Sequence, residues 1–406
     1  MIKPFPLPMP RFSAFSLAVY LIASSAIAQS PDVAAAPHGR LAGVLQSAVD
    51  RHVISGGVLV VTDKEKVLDV DAVGLADIAG GKPMRDDTLF WIASQSKSIT
   101  AAAVMMLVDE GKVRIDDPVE KYLPEFKGQM VKTESDASHA LLVKPVRPIC
   151  IRDLLSHTSG LPMVSPVERP ALDLLPLQNA VASYAMCNLQ FQPGTKMQYA
   201  NAGFNTAGRI IEVVSGMPYE DFMQKRLFDP LGMKDTTFWP TQEQLTRLAL
   251  SYESSAPPAP NVLKQIPIGQ LTYPLDDRVH RFPMPAGGLF STGPDIARFC
   301  RMIVNLGVLD GHRYLSEAAV REMTMRQTGP LLQDKHYGFG WWLDGGIWDH
   351  AGAYQSNMAI DPRTGLCMVY MVNHAGYVRD VQGTRSLFQK TAEEQFAPKG
   401  AATATR

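Results

Sequence analysis

The fold is decided by one stretch of sequence, Trp91-Ile92-Ala93-Ser94-Gln95-Ser96-Lys97-Ser98-Ile99-Thr100. Small or apolar side chains continue without interruption from Ala101 to Val108, and such a run predicts a helix that is buried on every side. If this helix begins near Ser94, that serine and Lys97 share a face, because they are three residues apart. Free backbone N–H groups and the positive end of the helix dipole lie at the same end.

This arrangement suits acyl transfer. A hydroxyl nucleophile, an amine within reach and N–H donors for an oxyanion are most of what acyl transfer to a serine requires. Ser94 and Lys97 form the one Ser-x-x-Lys pattern in the 406 residues. A polar helix start without a catalytic role is the alternative interpretation, because matches of four residues also arise by chance.

A tyrosine further along the chain is a candidate for proton transfer. Tyr199-Ala200-Asn201 is the one Tyr-x-Asn in the sequence, and it precedes an apolar helical segment, Ala202–Ser215. An ammonium such as that of Lys97 would lower the pKa of the Tyr199 hydroxyl towards neutrality. The pair could then take the proton of the serine and return it to a leaving group. A half-buried aromatic residue beside a helix cap is the other interpretation.

The remaining periodicities predict an α+β fold. A helix near residues 41–49 and strands at 57–62 and 67–73 open the chain, whereas four strands between residues 340 and 372 and a helix at 378–396 close it. Together the two ends predict one antiparallel sheet flanked by helices. The α/β part would comprise about 40–93 and 284–396, and the middle, about 94–283, would be an inserted all-helical domain. Polar residues 127–140 predict a loop.

The first 28 residues are typical of a secretory signal. Lys3 and Arg11 precede an apolar run from about Phe15 to Ile22, and Ala26-Ile27-Ala28 fits a cleavage site after Ala28. A membrane anchor is the alternative, but the run is shorter than the ~20 residues of a spanning helix. The sequence therefore predicts a periplasmic or secreted protein with no stable membrane insertion after cleavage. Residues 29–39 predict a flexible leader, residues 40–396 the folded domain and residues 397–406 a disordered tail.

Charge and composition narrow the classes of function. The formal net charge of −1 gives no electrostatic reason to expect nucleic acid as a partner. Hydrophobic residues make up 46% of the chain, enough for a large core. Cys150 and Cys367 lie among apolar residues, which favours buried free thiols over disulfides. No cluster with metal-ligand spacing occurs, so neither a metal nor another cofactor is predicted. The oligomeric state is left open.

Together these features resemble the serine beta-lactamase and penicillin-recognising superfamily, in particular its class C branch and the related family VIII carboxylesterases. The stretches that match further motifs, in the family's order, are Leu154–Leu161, Gly287–Thr292 and Tyr337–Trp341. The resemblance extends over about residues 40–395. It implies a class C beta-lactamase-like fold with the site between an α/β and an all-helical domain. It also implies Ser94 as the nucleophile, with Lys97 and Tyr199 as the general base.

The third motif of the family, Lys-Thr-Gly on a core strand, is altered here. Its match is His350-Ala351-Gly352-Ala353, and a second candidate is His374-Ala375-Gly376. The first is preferred because it follows one predicted strand and precedes another. The resemblance places His350 where a lysine meets the carboxylate of a beta-lactam. A neutral imidazole holds an anion less well than an ammonium does, which favours an esterase over a lactamase.

The resemblance also assigns the other groups of the site. The backbone N–H groups of Ser94 and Ala353 would form the oxyanion hole, and Asn201, His350 and Gly352 would bind substrate. His157 belongs to a structural turn in this family, and no catalytic role is assigned to it.

The sequence therefore predicts an exported carboxylesterase that acts on short-acyl esters through an acyl-enzyme on Ser94. A beta-lactamase, or a D-amino-acid peptidase or amidase, would use the same residues, because the fold does not fix the substrate. The substrate would in each case be a small ester or amide. A non-catalytic penicillin-binding-like sensor of the cell wall is disfavoured, because a binding module would not need Ser94, Lys97 and Tyr199 together.

Overall fold

The computed structural model describes residues 39–168, 171–255, 262–333, 335–376 and 379–398. The predicted signal peptide, all but Gly39 of the predicted leader and all but two residues of the predicted tail lie outside these ranges. None of the helices in these ranges combines the length and the apolar character that a membrane span requires.

The helices of the described residues are, in chain order, α1 (Arg40–Asp50), α2 (Ser96–Asp109), α3 (Ile151–Leu155), α4 (Leu177–Ala185), α5 (Asn201–Ser215), α6 (Tyr219–Met223), α7 (Asp229–Leu231), α8 (Gln242–Thr246), α9 (Gly293–Val304), α10 (Glu317–Met323) and α11 (Arg379–Phe396). The strands are β1 (Gly56–Thr62), β2 (Val67–Asp77), β3 (Lys82–Pro83), β4 (Phe90–Trp91), β5 (Val131–Ser135), β6 (Ala140–Val143), β7 (Ser251–Ser254), β8 (Leu263–Ile266), β9 (Phe290–Ser291), β10 (Val308–Leu309), β11 (His312–Arg313), β12 (Trp342–Asp344), β13 (Ile347–Ala351), β14 (Asn357–Asp361), β15 (Leu366–Met371) and β16 (His374–Gly376).

The main sheet joins strands from both ends of the chain. It has seven strands in the order β12-β13-β14-β15-β1-β2-β3, and its neighbours are antiparallel. In its centre β1 pairs with β15, and Val58 lies opposite Met371. This topology confirms the predicted α+β fold and the predicted antiparallel sheet flanked by helices.

Helices cover both faces of this sheet. Successive side chains of a strand point to opposite faces, so Leu59 and Val61 pack with α1 and α11, whereas Val58 and Val60 pack with the core that includes α9. All seven positions of β1 are buried, as expected of a continuous apolar run in the middle of a core.

Helix α2 lies in the interior, as its uniformly apolar sequence predicts. Every residue from Ser96 to Leu107 is buried, and the helix packs against α5 and α10. A single 3₁₀ turn, Ala93–Gln95, precedes it, so Ser94 lies in that turn and not in the first turn of the α-helix. Ala93 has a φ of +45°, a conformation that costs a residue with a Cβ atom about 1–3 kcal/mol and that is often found at functional sites.

The middle of the chain contains strands as well as helices. The prediction of a loop at residues 127–140 is wrong, because β5 and β6 form an antiparallel hairpin there. Nearly every residue of this hairpin is exposed or half-buried, so its strands lack the alternation of apolar and polar residues by which a half-buried strand is recognised. The division of the chain into an α/β part and an inserted helical domain stays a prediction.

Candidate active site

One cavity brings together residues from distant parts of the chain. It has a volume of about 390 Å³ and is lined by Ser94, Met163, Tyr199, Asn201, Gln270, Trp342, His350, Ala351, Gly352 and Ala353. All the predicted site residues except Lys97 are in this set. Met163, Gln270, Trp342 and Ala351 were not predicted as site residues.

Lys97 lies directly beneath the serine. Its Nζ atom is 3.0 Å from Ser94 Oγ, 2.8 Å from Asn201 Oδ1 and 2.7 Å from the carbonyl oxygen of Ala286. The side chain is fully buried. The structure therefore places the amine within proton-transfer distance of the hydroxyl, on the shared face that the three-residue spacing predicts.

Burial controls the charge of this amine. Desolvation lowers the pKa of Lys97 well below its ordinary value, because removal from water penalises the charged form. Its three hydrogen-bond partners are a hydroxyl, an amide oxygen and a peptide carbonyl, and none of them carries a negative charge to offset that penalty. A neutral amine has two N–H groups for the two carbonyl oxygens and a lone pair that can face the Ser94 hydroxyl.

Tyr199 differs from the sequence-based expectation. Its pKa is raised, not lowered: burial is the main cause, and the hydrogen bond with Ser94 opposes it. Lys97 Nζ lies over the face of the tyrosine ring, 4.7 Å from its centroid, but its charge is not among the causes of the shift in the pKa of Tyr199. Tyr199 is therefore a protonated hydroxyl in contact with Ser94.

Close packing of two helices positions Asn201. This residue begins α5 and is 5% exposed. A Cβ atom on Gly203 would lie 2.7 Å from the carbonyl oxygen of Leu154, so the glycine lets α5 approach α3 closely enough to bring the Asn201 amide to Lys97.

The strand that carries the third motif also depends on a glycine. A Cβ atom on Gly352 would lie 2.6 Å from the carbonyl oxygen of Ile92, so only a glycine allows this strand to pass so close to the turn that holds Ser94. The Gly352 N–H is bonded to the carbonyl oxygen of Ser356 at 2.7 Å. Among the described residues the Ala353 N–H has no acceptor, and it is free to bind an oxyanion.

The two candidates for the third motif lie in different places. His350 lines the cavity, whereas His374 lies on β16, which pairs with β7, and its ring is 3.2 Å from Ser254 Oγ. Both ring nitrogens of His350 are engaged inside the protein, Nδ1 at 2.9 Å from the Ala351 oxygen and Nε2 at 3.2 Å from the Tyr337 hydroxyl. Burial is the main cause that lowers the pKa of His350 to about 3, and the positive charge of a protonated Lys97 would act in the same direction. His350 is thus a neutral wall residue.

Four lining residues were not predicted as site residues, and they differ in how easily the sequence could have indicated them: Ala351 lies inside the third motif itself. Met163 stands one residue beyond the Leu161-Pro162 end of the Ser-His-Thr-Ser-Gly motif, and Trp342 directly follows the Tyr-Gly-Phe-Gly-Trp motif, so proximity to a motif could have found them. Gln270 lies in a loop without a motif. Within the described ranges, no group of three or more His, Cys, Asp or Glu residues is placed to hold a metal ion.

Comparison with known proteins agrees with this geometry. Residues 41–392 match the family model described as Beta-lactamase. The chain belongs to the beta-lactamase family. This confirms the resemblance seen in the sequence and makes the chain a member of the serine hydrolase superfamily.

The similar proteins include one that is named an esterase and one that is named a penicillin-binding protein. Esterase EstB of Burkholderia gladioli is 29% identical over 84% of this chain and 92% of its own. Penicillin-binding protein 4 of Amycolatopsis lactamdurans is 30% identical over 75% of this chain and 73% of its own. A solved structure titled EstCE1, a hydrolase with promiscuous acyltransferase activity, has a TM-score of 0.70 and 26% identity, and covers 83% of this chain and 93% of that one.

Proposed function

We propose that this protein is a carboxylesterase that hydrolyses uncharged esters through an acyl-enzyme on Ser94. The observation that supports the choice of substrate is the charge of the cavity wall. None of the ten described residues that line the cavity is a lysine or arginine, and the imidazole of His350 is neutral with both nitrogens engaged.

An anionic substrate would find no partner in this wall. Beta-lactams and peptides that end in D-alanine carry a carboxylate, and such groups are held best by charge-assisted hydrogen bonds from arginine or lysine. Taking a carboxylate out of water without such a partner is costly. An ester without a charge near the reacting carbonyl avoids this cost. EstB, an esterase by name, is similar to this chain over most of its length, which also supports the proposal.

The contacts of the site suggest a sequence of proton transfers. Neutral Lys97 accepts the Ser94 proton while Oγ attacks the ester carbonyl, and the N–H groups of Ser94 and Ala353 bind the oxyanion. Tyr199, protonated and hydrogen-bonded to Ser94, donates its proton to the departing alkoxide and is reprotonated from Lys97. Water then attacks the acyl-enzyme by the same route in reverse. The acyl group would lie against Met163 and Trp342, which are the large apolar residues of the wall.

The N-terminal sequence adds a proposal about location. The order of charged, apolar and small residues in positions 1–28 is that of a secretory signal, so we infer that the enzyme is exported and meets its substrate in the periplasm or outside the cell.

A pair of esters that differ in charge tests the substrate class. We expect p-nitrophenyl butyrate to react with a kcat/KM about tenfold to a hundredfold above that of the p-nitrophenyl monoester of succinic acid, because a charge-assisted hydrogen bond of about 1.5–3 kcal/mol is missing from the wall. Steady-state kinetics on the two esters and on nitrocefin give the comparison, with spontaneous hydrolysis subtracted. Faster turnover of the anionic ester or of nitrocefin would contradict the proposal.

The pH dependence tests the protonation state of the base. The neutral amine of Lys97 is the active form, so kcat/KM on the butyrate ester should be retained above the folded-state pKa of Lys97 and lost as the pH falls through it. Because burial lowers that pKa, the loss should occur well below the ordinary lysine value of about 10.4. His157 and His350 have lowered pKa values and should add no limb near pH 6.5. Activity that rises with acidification between about pH 9 and 6 would show that the ammonium form is required.

A further inference from the structure

A chain of four hydrogen bonds runs behind the cavity wall. The Ala200 N–H donates to His157 Nδ1 at 3.1 Å, and His157 Nε2 lies 3.2 Å from the Tyr337 hydroxyl. The same hydroxyl lies 3.2 Å from His350 Nε2, and His350 Nδ1 lies 2.9 Å from the carbonyl oxygen of Ala351. His157, Tyr337 and His350 are all buried.

The two backbone groups at the ends of this hydrogen-bond chain determine the position of every hydrogen within it. The Ala200 N–H can only donate, so His157 Nδ1 is an acceptor and the proton of a neutral ring lies on Nε2. The Ala351 carbonyl can only accept, so the proton of neutral His350 lies on Nδ1 and its Nε2 is an acceptor. The Tyr337 hydroxyl therefore accepts a hydrogen bond from His157 and donates one to His350. One accepted and one donated bond are enough for a hydroxyl to join the two rings.

These hydrogen bonds connect two segments that line the cavity. Ala200 lies between Tyr199 and Asn201, whereas Ala351 begins the segment that supplies the Ala353 N–H. Ring contacts reinforce the link, since the centroid of His157 is 4.3 Å from that of Tyr199 and the centroid of Tyr337 is 4.9 Å from that of Trp342.

We propose that Tyr337 is a positioning residue for acyl transfer: its hydroxyl joins His157 and His350 into one directional chain that fixes Tyr199 relative to the Ala353 oxyanion donor and holds His350 as its uncharged Nδ1–H tautomer. This inference rests on the acyl-enzyme mechanism proposed above and goes beyond it, because it gives His157 and Tyr337 a role in keeping the wall uncharged.

The hydrogen-bond chain disfavours protonation of the two histidines, and protonation of either histidine would break the hydrogen-bond chain. A proton added to His350 Nε2 would face the Tyr337 hydroxyl that now donates to it, and a proton added to His157 Nδ1 would face the Ala200 N–H. Burial is the main cause that lowers the pKa of both rings, and the charged form of Lys97, on α2, lowers both further. Three bases in one buried cluster thus disfavour each other's charged forms.

Removal of one hydroxyl tests the proposal. Tyr337→Phe keeps the packed ring and breaks both central links, so we expect kcat on p-nitrophenyl butyrate to fall about tenfold to a hundredfold while KM changes little, as expected when reacting groups shift relative to each other. Tyr370→Phe is the matched control, because Tyr370 is fully buried and its hydroxyl has no hydrogen-bond partner among the described residues. The control should keep wild-type kcat.

A second variant tests whether the links act together. His157 has a φ of +61°, which asparagine tolerates better than most residues. His157→Asn leaves an amide oxygen to accept the Ala200 N–H but cannot reach Tyr337. If the chain acts as a unit, the double variant His157→Asn/Tyr337→Phe should be little slower than Tyr337→Phe alone. Fully additive losses would overturn the proposal, as would a Tyr337→Phe enzyme with wild-type kcat and a lowered melting temperature.

The resting protein offers a readout that does not depend on turnover. In ¹⁵N-histidine NMR spectra of the wild type, His157 should appear as the Nε2–H tautomer and His350 as the Nδ1–H tautomer, with His157 assigned by its loss in His157→Asn. The opposite tautomer at either ring would contradict the assigned hydrogen-bond directions and overturn the proposal. If the wild type does not hydrolyse either ester, the proposed substrate class fails, and the rate at which a fluorophosphonate labels Ser94 replaces kcat in the comparison of Tyr337→Phe with Tyr370→Phe.

Discussion

Ser94→Ala should reduce ester turnover by at least about a thousandfold, because it removes the atom that forms the acyl-enzyme. The melting temperature should stay nearly unchanged, since the side chain is half-buried at the cavity and loses one oxygen. Initial rates on p-nitrophenyl butyrate, with intact-mass detection of the fluorophosphonate adduct, measure the effect.

A matched control lies four residues further along, in α2. Ser98 is buried, and its hydroxyl donates to the carbonyl oxygen of Gly340, away from the cavity. Ser98→Ala should therefore lower the free energy of unfolding by about 1 kcal/mol and leave turnover largely intact. Residual activity of Ser94→Ala above about one part in a thousand of wild type would disprove its role as the nucleophile.

Replacing Lys97 by methionine should cost several orders of magnitude in kcat, because methionine fills a similar volume but cannot accept a proton. Tyr199→Phe should also lose most of its turnover, since it removes the donor to the leaving group. The double variant should be little worse than Lys97→Met, because residues that move the same proton act as a unit and their losses are far from additive.

Pre-steady-state kinetics separate the two steps of this cycle. Lys97→Met should slow the burst of p-nitrophenol that reports acylation. The variant should lose no stability from a broken ion pair, because the three hydrogen-bond partners of Lys97 are uncharged. Losses that multiply fully in the double variant would show that the two residues do not share a proton path.

Much of the fold could be predicted because a buried strand has a continuous run of apolar residues that is easily recognised in the sequence. The strand predicted at 57–62 is observed as β1, and the last of the four strands predicted between residues 340 and 372 is observed as β15. The type of helix in the middle of the chain was not predicted: α6 ends at Met223 and a π-helical turn, Gln224–Phe228, follows. Apolar periodicity does not distinguish these helix types, because it reports which face is buried and not which carbonyl each N–H selects.

The sequence predicted which residues lie near one another at the candidate site, but it did not predict the direction of the pKa shift of Tyr199. Spacing alone brings Ser94 and Lys97 together, since both lie at one helix start. The sign of the pKa shift of Tyr199 depends instead on burial by residues far away in sequence. The link from His157 to Tyr337 also joins residues that are 180 positions apart, and no local pattern contains such a contact.

The pairing of β1 with β15 determines when the candidate site can be complete. Roughly 300 positions lie between Val58 and Met371, which are partners in the sheet, and chain segments emerge from the ribosome in order. A growing chain therefore carries Ser94 and Lys97 long before it carries Ala353. Until the C-terminal strands are made and docked, Ser94 lacks the Ala353 N–H, so under the proposed mechanism the nascent chain cannot acylate itself on esters that it meets during synthesis.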